Sequence, residues 1–298
     1  MIINTNVSSI TAQEAATNKS NNISSSLEKL STGLKINKAS DDASGLAIAD
    51  KLRTQATSIN QGIDNGNSAV TLLQIADKSM AEQSNILDTV KAKLIQANTD
   101  TTSADGRISI AKDISRLLEQ LDNISKSTNY NGTQLIGATD GTGGSISLSF
   151  QIGESYTNGG TINLGAITSN TTGLGLTSLA SAVSAAGALG AGSTLGSLSG
   201  ANFGAAAIEA AQDAVNDAIS KLNGYRGDIG STQNQVESAV RNLMTQATNV
   251  TAAESIIRDV DYAQESANFS KQNIISQAGS YAISQANATQ QNVLRLLQ

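Results

Sequence analysis

The 298-residue chain contains no cysteine, histidine, proline or tryptophan. Without cysteine it can form neither a disulfide framework nor a thiolate metal site. Without histidine it lacks the commonest general base and metal ligand. The absence of proline removes the strongest helix breaker and favours long helices. Aromatic residues make up only 3% and charged residues 15% of the chain, so we expect no compact core built on aromatic anchors.

Charge and hydrophobicity exclude further classes of protein. The net charge of −6 argues against a nucleic-acid-binding surface. No apolar run approaches the roughly 18 residues of a membrane span. The first residues carry no basic region followed by an apolar segment, so we expect no cleaved Sec-type signal peptide.

The sequence also offers no catalytic group. No nucleophile–base pair can be assembled without histidine or cysteine. The adjacent carboxylates of Asp41 and Asp42 follow Ser40, and this pattern predicts the start of a helix rather than a metal site. We therefore expect no enzyme activity, no metal and no cofactor.

Apolar residues recur every seven positions in the last third of the chain. Such a repeat is typical of a helix with an apolar seam, and a slip of three residues moves the seam around the helix. We predict one helix from about 205 to 298, with Gly224, Gly227 and Gly230 packed closely against a neighbour. The first series is Ile208, Val215, Leu222, Ile229, Val236, Leu243, Val250 and Ile257, and after the slip come Val260, Ala267, Ile274, Tyr281 and Ala288.

Helical patterns also fill most of the first 128 residues. We predict an amphipathic helix over 1–38, then a second long helix that is capped within residues 40–42 and runs to about Ala97. In this second helix the positions that fall seven apart are Leu52, Ile59, Gly66, Leu73, Met80, Leu87 and Leu94. A third helix covers about 106–128, and the turn signal Asn129-Tyr130-Asn131-Gly132 ends it. Alternating apolar residues then predict a β-hairpin at about 145–165. Residues 166–203 are rich in serine, threonine, glycine and alanine, which predicts an exposed loop.

The predicted fold is mainly α. It is a long antiparallel helical bundle or coiled coil with a small β-hairpin, in which the N- and C-terminal helices pair. Two weakly apolar terminal helices leave surface uncovered, which favours self-assembly over a seam shared with another protein. The predicted polymerisation seam consists of Ile3, Val7, Ile10, Ile23, Leu27, Leu30, Leu34, Val260, Ala267, Ile274, Tyr281, Ala288, Val293 and Leu294.

Two groups of residues, one at each end, resemble the signatures of bacterial flagellin. The N-terminal runs are Leu30–Asn37 and Asp41–Ala49. The C-terminal runs are Ile257–Ala263, Gln277–Gly279, Gln285–Asn287 and Gln291–Leu294. The resemblance covers about 1–176 and 204–298.

The resemblance implies a filament subunit for motility. Residues 1–54 and 254–298 would form the inner coiled-coil polymerisation domain, and 55–176 with 204–253 the bundle and hairpin. Residues 177–203 would be a short surface segment that replaces the outer domains of larger flagellins. The family implies unfolded export through the flagellar type III apparatus to an extracellular filament. Its implied partners are other copies, a secretion chaperone, and the filament cap and hook-junction proteins, without nucleic acid or membrane insertion.

The sequence departs from the family pattern at two places. Gln290 stands where a proline is usual. Thr89, Lys91 and Ala92 stand where many flagellins have Arg, Arg and Glu, which implies weak recognition by the flagellin-sensing Toll-like receptor. By analogy with similar flagellins, the candidate O-glycosylation sites are Ser169, Thr171, Thr172, Ser181, Ser184 and Ser193.

Two alternative functions stay open at this point. A hook–filament junction protein shares the terminal design, and a membrane-active translocator-type protein also has amphipathic ends. An interfacial helix, however, requires Lys or Arg opposite Trp, Phe or Leu. Residues 254–298 carry mostly alanine, asparagine, glutamine and serine instead.

Overall fold

A computed structural model describes residues 6–137, 146–154, 159–188 and 204–296. The fold class is mainly α, as predicted. The helices are α1 (Val7–Thr32), α2 (Ala43–Ala97), α3 (Ala104–Ser127), α4 (Thr177–Gly187), α5 (Ala205–Arg258) and α6 (Tyr262–Leu296). The strands are β1 (Asn129–Tyr130), β2 (Thr133–Gln134), β3 (Ile146–Gln151) and β4 (Thr161–Ile167). Within these ranges no helix is long and apolar enough to cross a membrane.

The helix ends near the N-terminus follow from capping. The side chain of Asn6 accepts a hydrogen bond from the Ser9 N–H at 3.1 Å and begins α1. Gly33, with a φ of +75°, ends it, because glycine adopts this left-handed conformation without strain. The first helix is therefore shorter than the predicted 1–38. Asp42 accepts the N–H groups of Ser44 and Gly45 at 3.1 and 2.9 Å, which confirms the predicted cap of α2.

The C-terminal stretch forms two helices, so the prediction of one helix from 205 to 298 is wrong. The break falls between Arg258 and Tyr262, where the seven-residue series slips by three. Asp261 restarts the helix because its carboxylate accepts the N–H groups of Ala263 and Gln264 at 2.9 and 3.2 Å. The slip thus marks a change of helix rather than a rotated seam.

The three glycines of α5 do not pack closely against a neighbour, contrary to the prediction. A methyl group added at Gly224, Gly227 or Gly230 would meet no heavy atom within 4 Å among the described residues. The helix nevertheless runs through all three. These glycines therefore lower the helix propensity without any compensating close contact.

The chain divides into two compact units. The first consists of Met1–Thr57 and Gln246–Gln298, and the second of Ser58–Thr245. Helices α2 and α5 each contribute residues to both. The predicted domain boundaries, at 54 and 254, concern roles in a filament and stay a prediction.

The core of the second unit is built from the predicted seven-residue series. Helices α2 and α5 bury their apolar seams here, together with the apolar stripe of α3. Because these positions repeat every two turns, one face of each helix supplies the core. The fully buried members of the two series are Leu73, Met80, Leu87, Leu94, Ile208, Val215, Leu222, Ile229 and Val236.

The predicted hairpin is confirmed as antiparallel strands β3 and β4, with Phe150 opposite Ile162. It packs on α2 so closely that a methyl group added at Gly62 would collide with the carbonyl oxygen of Ile152. A methyl group at Gly66 would likewise collide with Val240. In the second unit, glycine is therefore required where α2 meets the hairpin and α5.

The prediction of an exposed loop over 166–203 is wrong for its described part. Residues Thr177–Gly187 form α4, and Leu179, Val183 and Ala186 are buried in the core. Asp122 fixes the preceding turn by accepting the N–H and hydroxyl of Thr171 at 2.8 and 2.9 Å. The leucines and the valine of this segment recur at helical spacing. The low charge of the segment therefore reflects burial rather than an exposed loop.

A second, very short hairpin follows α3. Strands β1 and β2 have two residues each, with Tyr130 opposite Thr133. Asn131 and Gly132 make the turn between them, with φ values of 51° and 82°. The sequence predicts this turn but not the strands, which are too short to produce an alternating pattern.

Candidate assembly surface

Helices α1 and α6 of the first unit lie antiparallel and form what we call the terminal helix pair. The amide of Asn6 donates to the carbonyl of Ala286 at 3.4 Å. Further along, the Ser26 hydroxyl donates to the Glu265 carboxylate at 2.5 Å. As the residue number rises along α1, the number of the contacting residue on α6 falls. The two helices are therefore antiparallel and paired along most of their length.

The less exposed residues of this pair recur at spacings of three and four, which is the pattern of two helices in contact. We call these residues the inner seam. Many are small or polar, so burying them contributes little hydrophobic stabilisation. On α1 the inner seam is Ser9, Ala12, Ala16, Lys19, Ile23, Ser26 and Leu30, and on α6 it is Glu265, Phe269, Gln272, Ser276, Gly279, Ile283 and Ala286.

The inner seam is also incompletely hydrogen-bonded. The side-chain oxygen of Gln272 is buried and has no hydrogen-bond partner in the described part of the chain. A buried acceptor without a donor costs about 1–3 kcal/mol. Polar composition and an unsatisfied amide together make the terminal helix pair weak by itself.

Five large apolar side chains of the pair and one alanine are exposed away from the inner seam, and we call them the outer residues. On α6 the exposed fractions are 67% for Ile274 and 76% for Tyr281. These positions are two and nine residues beyond Gln272, which places them on roughly the opposite face of the helix. The outer residues are Val7, Ile10 and Leu27 on α1, and Ala267, Ile274 and Tyr281 on α6.

The predicted polymerisation seam therefore falls on two faces. Ile23 and Leu30 belong to the inner seam, while the outer residues account for six other members. Leu34, Val260 and Ala288 are half-buried. Ile3 lies outside the described residues, as do the side chains of Val293 and Leu294.

Backbone contacts join the end of α1 to the break between α5 and α6, and we call this place the junction. The Lys35 N–H donates to the Arg258 carbonyl at 2.6 Å, and the Val260 N–H donates to the Gly33 carbonyl at 3.0 Å. Leu34 and Asp259 form an isolated antiparallel bridge between them. The end of α1 therefore lies beside the break between α5 and α6, and the two segments satisfy each other's backbone groups.

Charged side chains stabilise the turn that follows α1. The backbone N–H of Lys38, and then that of Asn37, donate to Asp41 and lower its pKa. A hydrogen bond from the Gly45 N–H lowers the pKa of Asp42. The hydrogen bond from Lys38 to Glu28, 2.7 Å long, raises the pKa of Lys38. The turn is thus organised around ionised groups.

The predicted receptor patch lies on the solvent face of α2 in the second unit. Thr89 and Ala92 are exposed and Lys91 is half-buried. The neighbouring Val90 and Leu94 are buried in the core. All three patch residues therefore belong to the side of the helix that the core leaves uncovered.

The candidate glycosylation residues differ in accessibility. Thr172, Ser181 and Ser184 are exposed. Thr171 donates its hydroxyl to Asp122. Ser169 is fully buried and donates to the Ile136 carbonyl at 2.7 Å, so a sugar there would require the core to open. Ser193 lies outside the described residues.

Sequence reasoning found Ile23 and Leu30 but missed the rest of the inner seam, because most of its members are small or polar. The signal that could have found it is the strict three–four spacing of Ala, Ser and Gly along both terminal segments. In the described ranges there is no group of three or more Asp or Glu side chains that could hold a metal.

Comparison with known proteins gives consistent matches over the whole length. Residues 3–140 match the bacterial flagellin N-terminal helical region, and residues 212–297 match the C-terminal helical region. The flagellin of Bacillus subtilis is 34% identical over 314 residues, covering 100% of both chains. The flagellar filament 30.7 kDa core protein of Treponema maltophilum is 32% identical over 300 residues, again covering 100% of both.

A solved structure of a putative flagellar hook-associated protein from Vibrio parahaemolyticus has a similar fold. The TM-score is 0.57 at 14% identity, and the match covers 73% of this chain and 99% of that one. At this identity the likeness concerns the fold alone.

Proposed function

The chain belongs to the bacterial flagellin family and is a structural subunit of the flagellar filament, and we propose that its copies join through the outer residues of the terminal helix pair. The observation that carries this proposal is the exposure of large apolar side chains opposite a polar inner seam. Val7 is 62% and Ile274 67% exposed. Covering such surface stabilises a contact by about 25 cal/mol per Å².

The weakness of the inner seam supports a coupling between folding and assembly. A helix pair whose inner seam consists mainly of small or polar residues gains too little to offset the entropy of ordering long helices. A neighbouring copy that covers the outer residues adds the missing burial. Polymerisation then completes the fold of the first unit.

The test is to place a charge on the outer face. Ile274→Glu and Tyr281→Glu should each abolish filament formation while leaving a folded second unit. Ile95→Glu is the matched control, because Ile95 is 54% exposed but belongs to the second unit. A chain lacking residues 254–298 should likewise stay monomeric. Sedimentation and electron microscopy measure the outcome, and filaments from Ile274→Glu or from the truncated chain would contradict the proposal.

We further propose that the subunit leaves the cell unfolded through the flagellar type III apparatus and ends in an extracellular filament. The weak terminal helix pair supports this, because such helices unfold at little cost. A secretion chaperone would cover the terminal segments before export, and cap and hook-junction proteins would receive the subunit outside. Subunit in the medium of cells without a working export apparatus would contradict export by this route.

Weak recognition by the flagellin-sensing Toll-like receptor is a separate proposal. It rests on Thr89, Lys91 and Ala92, which occupy the solvent face of α2 without the Arg, Arg and Glu of many flagellins. A receptor reporter assay that compares this monomer with a flagellin carrying those residues tests it. Equal stimulation would contradict it.

O-glycosylation is proposed at the exposed hydroxyls. Thr172, Ser181 and Ser184 are accessible, whereas Ser169 is buried and hydrogen-bonded. The intact mass of native filament protein, followed by peptide mapping, tests this. A mass equal to that of the bare sequence, or a sugar on Ser169, would contradict the proposed selection.

A further inference from the structure

The chain contains four Asn–Gly dipeptides, and their surroundings differ sharply. They begin at Asn65, Asn131, Asn158 and Asn223. Asn158 lies outside the described residues, so the comparison concerns the other three.

Asn–Gly sequences can deamidate without an enzyme. The backbone nitrogen of the glycine attacks Cγ of the asparagine side chain, a C–N bond forms, and the side-chain nitrogen leaves as ammonia. The resulting five-membered succinimide is then opened by water at either carbonyl, which gives aspartate or isoaspartate. Glycine favours the attack because it has no side chain to hinder it. The only co-reactant is water.

The backbone must adopt a conformation for this attack that neither an α-helix nor a left-handed turn provides. The rate in a folded protein is therefore set by local opening around the dipeptide. Opening that is restricted to a few exposed residues costs far less than opening a long helix within a packed core.

Two of the dipeptides lie inside long helices. Gly66 belongs to α2 and Gly224 to α5, where each backbone N–H is used in the helix. The Asn65 side chain is also held at both ends. Its amide donates to the Gln151 carbonyl at 3.1 Å, and its oxygen accepts from Gln61 at 3.0 Å.

The Asn131 dipeptide lies in the turn between β1 and β2. Both turn residues are exposed, and no heavy atom of the described chain lies within 4 Å of a methyl group placed at Gly132. The two strands contain two residues each, and so small a hairpin is marginally stable. Leu135 and Ile136 are fully buried and anchor the chain beyond it, so opening is confined to about Asn129–Gln134.

We propose that, among the three dipeptides within the described residues, Asn131 is the one that deamidates spontaneously in the folded protein, ahead of Asn65 and Asn223. Conversion to aspartate adds a negative charge and keeps a residue type that suits this turn, since Asp–Gly forms it as readily as Asn–Gly. Conversion to isoaspartate lengthens the main chain within a two-residue loop, next to the partly exposed Tyr130. The extent of conversion at Asn131 should therefore increase with the time that a subunit has spent folded.

The experiment is prolonged incubation of folded protein in mildly alkaline buffer, with peptide mass spectrometry of each dipeptide over time. Asn131 should convert at least about tenfold faster than Asn65 and Asn223. A free energy of local opening that is about 1.4 kcal/mol higher at the two helical dipeptides is enough to give that factor. The same protein in denaturant should convert all three at similar rates. Asn131→Asp supplies the mass and chromatographic standard for the aspartate product.

Two results would overturn the proposal. One is conversion of Asn65 or Asn223 in the folded protein as fast as Asn131. The other is an intact Asn131 in folded protein over a period in which the denatured sample converts completely. A Gly132→Ala variant provides an independent check, because the added methyl group hinders the attacking nitrogen and should slow conversion at Asn131 in denaturant as well.

Discussion

The Ser26 hydroxyl donates a 2.5 Å hydrogen bond to the carboxylate of Glu265, which joins the inner part of α1 to the first turn of α6. Ser26 is buried and Glu265 half-buried, so this bond is partly shielded from water. A polar contact inside a seam of similar small residues fixes which residues oppose each other, because shifting the helices would leave it unpaired. It therefore sets the register of the terminal helix pair.

Ser26→Ala should weaken the terminal helix pair by about 1–2 kcal/mol, the usual worth of a hydrogen bond to a charged group. The measurement is the temperature at which assembled filaments dissociate, together with amide exchange along α1 and α6. Ser24→Ala is the control, because Ser24 is exposed and its hydroxyl bonds only to the Ser20 carbonyl. Equal behaviour of the two variants would remove the register role.

The turn that follows α1 should loosen in acid. The pKa of Asp41 is lowered from 3.8 by hydrogen bonds from the backbone of Lys38 and Asn37. A lowered folded-state pKa contributes stability above 3.8, which is lost as the pH falls through the folded value. The protection of the Asn37 and Lys38 amides, measured against their intrinsic exchange rates at each pH, should fall in that range.

Asp41→Asn should lower the protection of those two amides at neutral pH and remove the acid dependence of that protection. Asp88→Asn, which removes an exposed carboxylate of α2 in the second unit, should leave the dependence intact. At the alkaline end the sign reverses. The pKa of Lys38 is raised above 10.5 by its hydrogen bond to Glu28, so that contribution is present below 10.5 and lost as the pH rises through the folded value.

Two glycine-to-alanine changes should have opposite signs. Gly227→Ala should stabilise the second unit by about 0.5–1 kcal/mol, because the helix gains propensity and the methyl group meets open space. Gly62→Ala should destabilise it by about 1–3 kcal/mol, because the methyl group collides with the backbone of Ile152. Chemical unfolding of the monomer measures both, and a destabilising Gly227→Ala would mean that its face is covered.

Receptor activity should rise when the α2 patch is converted to the residues common in other flagellins. Thr89→Arg, Lys91→Arg and Ala92→Glu combined should increase stimulation in a receptor reporter assay. These side chains lie on the solvent face, so the free energy of unfolding, measured by thermal unfolding, should change by less than about 0.5 kcal/mol. Unchanged stimulation by the folded triple variant would show that other residues limit recognition.

The sequence predicted the core of the second unit well, for a physical reason. Leu73, Met80 and Leu87 repeat every two helical turns and are all fully buried, so hydrophobic spacing and packing agree. The β3–β4 hairpin was equally predictable, since Phe150 and Ile162 belong to runs in which apolar and polar residues alternate.

The terminal helix pair was less predictable. Its internal contacts use residues such as Ser26 and Gln272, which carry no hydrophobic signal. The apolar series through Ile274 and Tyr281 marks the uncovered face instead. Hydrophobic spacing thus located the surface available to other copies and, apart from Ile23 and Leu30, overlooked the contacts within one chain. Helix α4 was missed for the converse reason, because Val183 and Leu179 stand in a segment whose serines and glycines suggested a loop.

The junction between Gly33 and Val260 depends on main-chain groups rather than side chains. Every amino acid except proline has the backbone N–H group that Lys35 and Val260 donate there. Evolution can therefore vary the side chains at these two positions widely, yet proline is forbidden at both, because it has no hydrogen to give and would leave the Arg258 or Gly33 carbonyl unmatched.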